Sequence, residues 1–172
     1  LRSLCKKNRV IYQPVDVSDP ISMEKLVHHT VKCFGGLDVF ISNAGILHAG
    51  GIDEMSPELF KKMTEVNYNA WFYGVRAASE VMKIQHRANP KFKFDLIQIN
   101  SKSGLEGSNR NFAYSGSKFG GIGLTQSFAL ELSPAGIKVN SVCPGNFFEG
   151  PLWSDPQKGL FVQYLEAGKV TG

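Results

Sequence analysis

The chain has 172 residues, 42% of them apolar and 20% charged, a balance that predicts one soluble globular domain with a single core and excludes a disordered tail. A domain near this size buries roughly 70% of the surface of its unfolded chain, and no apolar run approaches the ~20 residues of a membrane helix, so stability requires neither disulfide staples nor a bilayer. The net charge of +4 traces to Arg2, Lys6, Lys7 and Arg9, which leaves the other basic and acidic residues in balance and excludes a basic face for nucleic acid. Cys5, Cys33 and Cys143 have no short repeated spacing, so neither a disulfide framework nor a zinc knuckle is expected, and a reducing cytoplasm is.

Residues Leu1 to Asn8 read as the end of a helix with no signal peptide or initiating methionine before it, as though the chain began inside a fold. Arg9 to Val17, RVIYQPVDV, is predicted as a strand, closed by Ser18-Asp19-Pro20. Pro20 suits a first helical position capped by Ser18 or Asp19, and Met23, Val27, Val31 and Phe34 recur at helical spacing until Gly35-Gly36 stops the turn. Leu37 to Ser42, LDVFIS, predicts a strand covered on both faces that runs into Asn43-Ala44-Gly45.

Ser56-Pro57-Glu58 starts a long helix whose apolar positions Leu59, Met63, Val66, Ala70, Tyr73, Ala77, Val81 and Ile84 persist to about Arg87. A strand at Phe94 to Asn100, a helix at Tyr114 to Leu132 and a strand at Ile137 to Cys143 follow. The order β-α-β-α-β-α-β with short loops calls for parallel strands, right-handed crossovers and helices on both faces, a doubly wound α/β fold of one domain over residues 1–172. After Pro144-Gly145 the periodicity fades, with a short helix near Leu160 to Ala167. Residues 146–172 are expected to form a substrate loop: Phe147, Phe148, Trp153 and Phe161 either close over substrate or pack against a partner strand.

In an open parallel sheet the ligand crevice lies beyond the carboxyl ends of the strands. Those ends carry Asp16-Val17, Asn43-Ala44-Gly45, Asn100-Ser101 and Pro144-Gly145, and the third helix adds Tyr114 and Lys118. Residues four apart share a helix face. An ammonium beside a phenol favours the phenolate, and lowering a pKa of ~10 by about three units takes ~4 kcal/mol, giving a proton donor and acceptor near neutrality. His29 and Cys33 also share a helix face, but two ligands without a third make no metal site, and none is expected. There is no GxSxG motif, and none of His28, His29, His48 or His86 lies near a candidate nucleophile, which argues against a serine hydrolase.

The Tyr-Lys spacing alone is weak evidence; its order with the other motifs is not. Ser101 at a strand end thirteen residues before Tyr114, SNAG at Ser42 to Gly45 and NSVCPG at Asn140 to Gly145 together resemble the short-chain dehydrogenase/reductase family, from Asp16 to about Pro151. The resemblance implies a Rossmann-like fold and an oxidoreductase that moves a hydride between a nicotinamide cofactor, NAD with NADP as the alternative, and a secondary alcohol or ketone. It implies Tyr114 as the acid/base, Lys118 binding the nicotinamide ribose and lowering the Tyr114 pKa, Ser101 bonding the reacting oxygen, and Asn67 holding a water that links Lys118 to solvent. Asp16 and Val17 would contact adenine, Asn43, Ala44 and Gly45 would line the adenosine side, and Pro144 and Gly145 would lie against the nicotinamide.

IQINSKSG and KFGGIGLTQS, flanking these residues, are similar to the sorbitol-6-phosphate 2-dehydrogenase branch of the family. That implies a polyol or sugar-phosphate substrate, which Lys102 or Arg110 on the loop between Ser101 and Tyr114 could hold by charge; both are also ordinary loop cations. Family members pair through the helices containing Phe60 to Ile84 and Gly121 to Leu132, so a homodimer or homotetramer is expected, with Met63, Ala70, Ala77, Val81 and Phe128 on outer faces.

The pattern departs from the family in two places. No G-x-x-x-G-x-G precedes Asp16, and in the spatial order 3-2-1-4-5-6 the first predicted strand would stand two strand widths from the next, although paired strands lie ~4.8 Å apart. The chain is therefore expected either to lack its first two strands, roughly 60 to 80 residues, or to have another segment fill the gap, and its last strand is expected to be missing as well. After Pro144-Gly145, where the family commonly has a threonine, stand Asn146, Phe147, Phe148, Glu149 and Gly150. A non-catalytic binding or assembly module is the alternative function.

Overall fold

The computed structural model describes residues 10–146 and 149–166. Helix α1, Pro20–Phe34, starts where Asp19 accepts a hydrogen bond from the Ile21 amide at 3.0 Å and stops at Gly35, whose φ of 84° is open to glycine at little cost. Strand β1 is Val39–Ser42. The long predicted helix is three segments end to end: α2, Pro57–Thr64, capped by Ser56 onto the Leu59 amide; a wide π turn, Glu65–Asn69; and α3, Ala70–Ala88. Strand β2, Phe94–Ile99, leads through a short 3₁₀ turn at Lys102–Gly104 to α4, Phe112–Leu132, and then to β3, Ile137–Val142. Helices α5, Pro151–Ser154, and α6, Leu160–Glu166, follow; α5 was not expected.

The three strands are parallel in the order β1-β2-β3, with Phe40 beside Leu96 and Leu96 beside Val139. Phe94, Leu96, Ile137 and Val139 point into a core with Trp71, Val75, Ala78 and Met82 of α3 and Leu132 of α4. Close approach of α3 to β1 depends on Gly74, where a Cβ would come within 2.6 Å of the Phe40 ring. Met23 and Val27 of α1 pack on Ala77, with Phe40 bordering both clusters. This is a Rossmann-like α/β arrangement.

Several expectations are corrected. Residues 10–17 form no strand: β-branched composition favours extension, but a strand exists only where a neighbour takes its hydrogen bonds, and β1, β2 and β3 take their bonds from one another. Among the described residues, the helices that pack on these three strands cover one face of the sheet. Strands added in one direction with right-handed crossovers carry every crossover helix on the same face, and the face changes only where the strand order reverses. The opposite face carries Val39, Ile41 and Val142, about half exposed at 47%, 56% and 49%, and an Asp95–Lys138 ion pair at 2.9 Å. Met63, Ala70 and Ala77 are buried within the chain, so the apolar residues that α2, α3 and α4 turn outward are instead Phe60, Phe72, Ile84, Phe119 and Leu130. The helix end read at Leu1 to Asn8, the strand start Arg9, and Phe147, Phe148 and Ala167 lie outside the described residues.

Candidate active site

Extended backbone at Ser101 carries the chain from β2 into the 3₁₀ turn, and the Ser101 hydroxyl accepts from the Ser103 amide at 3.1 Å. Tyr114 lies in the first turn of α4 and Lys118 one turn on, which stacks them on one face. The Lys118 ammonium is 5.5 Å from the centre of the Tyr114 ring and donates to the Ile99 carbonyl at 3.1 Å. The Ser101 hydroxyl stands near enough to the Tyr114 phenol to act on its pKa.

Burial pushes the Tyr114 pKa up, and the Ser101 hydroxyl only partly offsets it. Burial likewise pulls the Lys118 pKa down. Within the chain itself desolvation is the dominant cause of both shifts.

The π turn carries Asn67 inward, where it is 3% exposed. Its Oδ1 accepts from the Ile46 amide at 2.8 Å, and its Nδ2 donates to the Ile46 carbonyl at 2.8 Å and to Ser117 Oγ at 3.2 Å. Both amide hydrogens are thus engaged, and the side chain clamps the segment after β1 onto α4. The clamp sets Gly45 beside the cluster: a Cβ there would lie 3.4 Å from Asn67 Oδ1 and 3.7 Å from Lys118 Nζ. Asn43, Ala44 and Gly45 are exposed along this mouth, as are Pro144 and Gly145 at the end of β3. The Pro144 carbonyl accepts from the Lys102 amide at 3.0 Å, joining the β3 end to the Ser101 turn.

The structure therefore brings Asn67, Ser101, Tyr114, Lys118 and Gly45 together. Asp16 and Val17 take no part in these contacts. Asp16 accepts from the amide and hydroxyl of Ser18 at 2.9 and 2.6 Å, bonds that hold its carboxyl below the usual range, and Val17 packs on the α1–α3 cluster. Arg110 is paired with Glu54 and its carbonyl accepts from the Gly50 amide at 2.8 Å, so it closes one loop on another and is not an unpaired cation awaiting phosphate. Lys102 stays exposed. His29 Nε2 lies 3.6 Å from Cys33 Sγ, and no group of three metal-ligating side chains occurs among the described residues.

One set of contacts escaped sequence reasoning. Gln98 and Asn100 are 2% and 5% exposed and belong to a buried polar chain with Ser141, Thr125 and Trp71. Its signal is in the strand: Phe94, Leu96 and Gln98 share one face, so an amide stands where an apolar residue is due.

The profile of the short chain dehydrogenase family matches residues 1–153. A 3-alpha-(or 20-beta)-hydroxysteroid dehydrogenase of Mycobacterium tuberculosis is 39% identical over 134 residues, covering 78% of this chain and 49% of that protein. Sorbitol-6-phosphate 2-dehydrogenase of Escherichia coli is 38% identical over 152 residues, covering 87% and 54%. The crystal structure of sorbitol-6-phosphate 2-dehydrogenase from Erwinia amylovora superposes with a TM-score of 0.86 at 36% identity, over 96% of this chain and 61% of that one. The chain spans about half the length of the curated relatives it matches. With its parallel sheet and these matches, the chain belongs to the short-chain dehydrogenase/reductase family.

Proposed function

We propose that the whole protein is a nicotinamide-dependent dehydrogenase of a secondary alcohol, with NAD as cofactor and a hexitol phosphate such as sorbitol 6-phosphate as substrate. The observation that carries the reading is the cluster of half-buried Ser101 and Tyr114 with buried Lys118 at the strand ends. The hexitol phosphate rests on the similarity to two sorbitol-6-phosphate dehydrogenases.

The residues fit the ribose and nicotinamide end of such a cofactor. An ammonium has three donors and Ile99 takes one from Lys118, leaving others for ribose hydroxyls. Gly45 keeps open the space a Cβ would fill beside that ammonium. When bound, the cofactor supplies the hydride acceptor or donor. Ser101 donates a hydrogen bond to the reacting oxygen, and the Tyr114 hydroxyl exchanges a proton with that same oxygen. Lys118, seated under the Tyr114 ring, holds the ribose and adds positive charge beside the phenol.

Lys102 is the cation best suited to a substrate phosphate, since Arg110 is matched by Glu54. In the full-length enzyme, Lys102→Ala should lower kcat/KM for sorbitol 6-phosphate about ten- to a hundredfold more than for sorbitol, the worth of one charge-assisted hydrogen bond. Equal losses on both would reject phosphate recognition by Lys102. A preference of the intact enzyme for hydroxysteroids or other unphosphorylated alcohols would remove the sugar-phosphate reading and leave the dehydrogenase.

The proposal includes a cytoplasmic location, in keeping with the free thiols of Cys33 and Cys143, and residues 146–172 as the substrate loop. It also includes a homodimer or homotetramer formed through the outer faces of α3 and α4, where Phe72 is 43% and Leu130 81% exposed. Light scattering of the full-length protein at micromolar concentration should give at least twice the monomer mass; a monomer would count against it.

A further inference from the structure

Lys118 is held at both of its ends by consecutive residues, the last of β2 and the one that follows it. Its ammonium donates to the Ile99 carbonyl at 3.1 Å, while its main-chain carbonyl accepts from Asn100 Nδ2 at 3.0 Å. Asn100 Oδ1 accepts from the Ser101 amide at 2.8 Å. A single buried amide thus touches the backbone of Ser101 and the backbone of Lys118, two residues of the proposed reaction on different elements.

The amide has no freedom to turn. Its second hydrogen goes to Gln98 Oε1 at 2.8 Å, and that oxygen also accepts from Ser141 Oγ at 3.1 Å. Ser141 Oγ lies 2.8 Å from Thr125 Oγ1, which in turn accepts from the Trp71 indole at 3.2 Å. Two glycines close the space around it: a Cβ at Gly104 would come within 2.4 Å of Asn100 Oδ1, and one at Gly121 within 3.0 Å of Asn100 Nδ2. Reversing the amide would set its oxygen against two carbonyl-type oxygens and its NH₂ against an N–H.

We infer that Asn100 is a positioning residue, which fixes Ser101 relative to Lys118, and through the α4 helix relative to Tyr114, by bonding both backbones with one side chain. The inference rests on the proposed dehydrogenase reading. Asn100 itself touches neither substrate nor cofactor in this role; it sets the geometry in which proton transfer at the substrate oxygen occurs, and a displacement on the order of 1 Å can cost about a hundredfold in rate.

The test uses the full-length enzyme with NAD and sorbitol 6-phosphate, with rates normalised to the amount of protein that binds NADH. Asn100→Ala should lower kcat by about tenfold to a hundredfold while KM moves less than about threefold. Asn100→Asp keeps an acceptor for the Ser101 amide but turns a carboxylate toward the Lys118 and Gln98 oxygens. Its kcat should therefore recover as pH falls and the protonated acid regains one donor, a limb absent from the parent enzyme. Retention of kcat within about twofold in Asn100→Ala, alongside an inactive Tyr114→Phe, would overturn the inference and leave the dehydrogenase reading intact. An active Tyr114→Phe would instead remove the reading beneath it. If Asn100→Ala does not fold, side-chain amide exchange by NMR in the parent protein decides: slow exchange of the Asn100 NH₂ supports the clamp, and exchange at the rate of a free amide overturns it.

Discussion

Tyr114→Phe should lower kcat by at least about a hundredfold, up to about ten-thousandfold, with NADH affinity changed less than about twofold, because it removes the transferable proton and little volume. Stopped-flow turnover and NADH fluorescence titration of the full-length protein read the two quantities separately. Near-normal turnover would reject Tyr114 as the acid/base and reopen the reading of the chain as a binding or assembly module. The same variant carries a stability signature. Burial raises the folded-state pKa of Tyr114, so above the ordinary value of ~10 the unfolded chain binds fewer protons than the folded one. The associated stability is complete below about pH 10 and is lost as pH rises from there through the folded pKa. Urea unfolding across that range should show this loss in the parent protein and less of it in Tyr114→Phe.

Lys118→Ala should damage both turnover and cofactor binding, which separates it from Tyr114→Phe. Removing a charge-assisted bond to the ribose costs ~1.5 to 3 kcal/mol, or about ten- to a hundredfold in NADH affinity, and kcat falls as well because the phenol loses its neighbouring charge. Unchanged NADH affinity would withdraw the ribose contact. The pH sign is opposite to that of Tyr114: burial lowers the folded pKa of Lys118, so between that pKa and ~10.4 the unfolded chain binds more protons and stability rises with pH. The alanine variant lacks this rise.

What could be read from sequence was what depends on neighbours along the chain. Asp19 and Gly35 bound α1 where the capping rules put them, and β2, α4 and β3 fall within two residues of their predicted ends. Tyr114 and Lys118 could be paired because a helix brings residues four apart together. The strand expected at Arg9 to Val17 failed for the opposite reason: its residues favour extension, but pairing needs a partner that local composition does not reveal. The π turn was hidden because Met63, Val66, Ala70 and Tyr73 keep a three- or four-residue rhythm through it. Arg110 was read as an available cation because Glu54, 56 positions away, is its neighbour only in the folded chain. Asn100 was read only as the end of a strand, since its tie to Lys118 spans 18 positions and is tertiary.

The tight packing of glycines against side chains has a consequence for the order of folding. Helix α4 carries Gly116, Gly120, Gly121 and Gly123, each costing about 0.8 to 1 kcal/mol relative to alanine in a helix interior, so the segment is a poor helix by itself. It becomes one only against surfaces already in place: Tyr68, which Gly120 meets, and the Gln98 and Asn100 amides, which Gly121 meets. On this basis Tyr114 and Lys118 are expected to gain their spacing only once the strand and π turn are in place. Backbone amides of α4 should then exchange with solvent only through opening of the whole core, which protects the paired phenol and ammonium from local fraying.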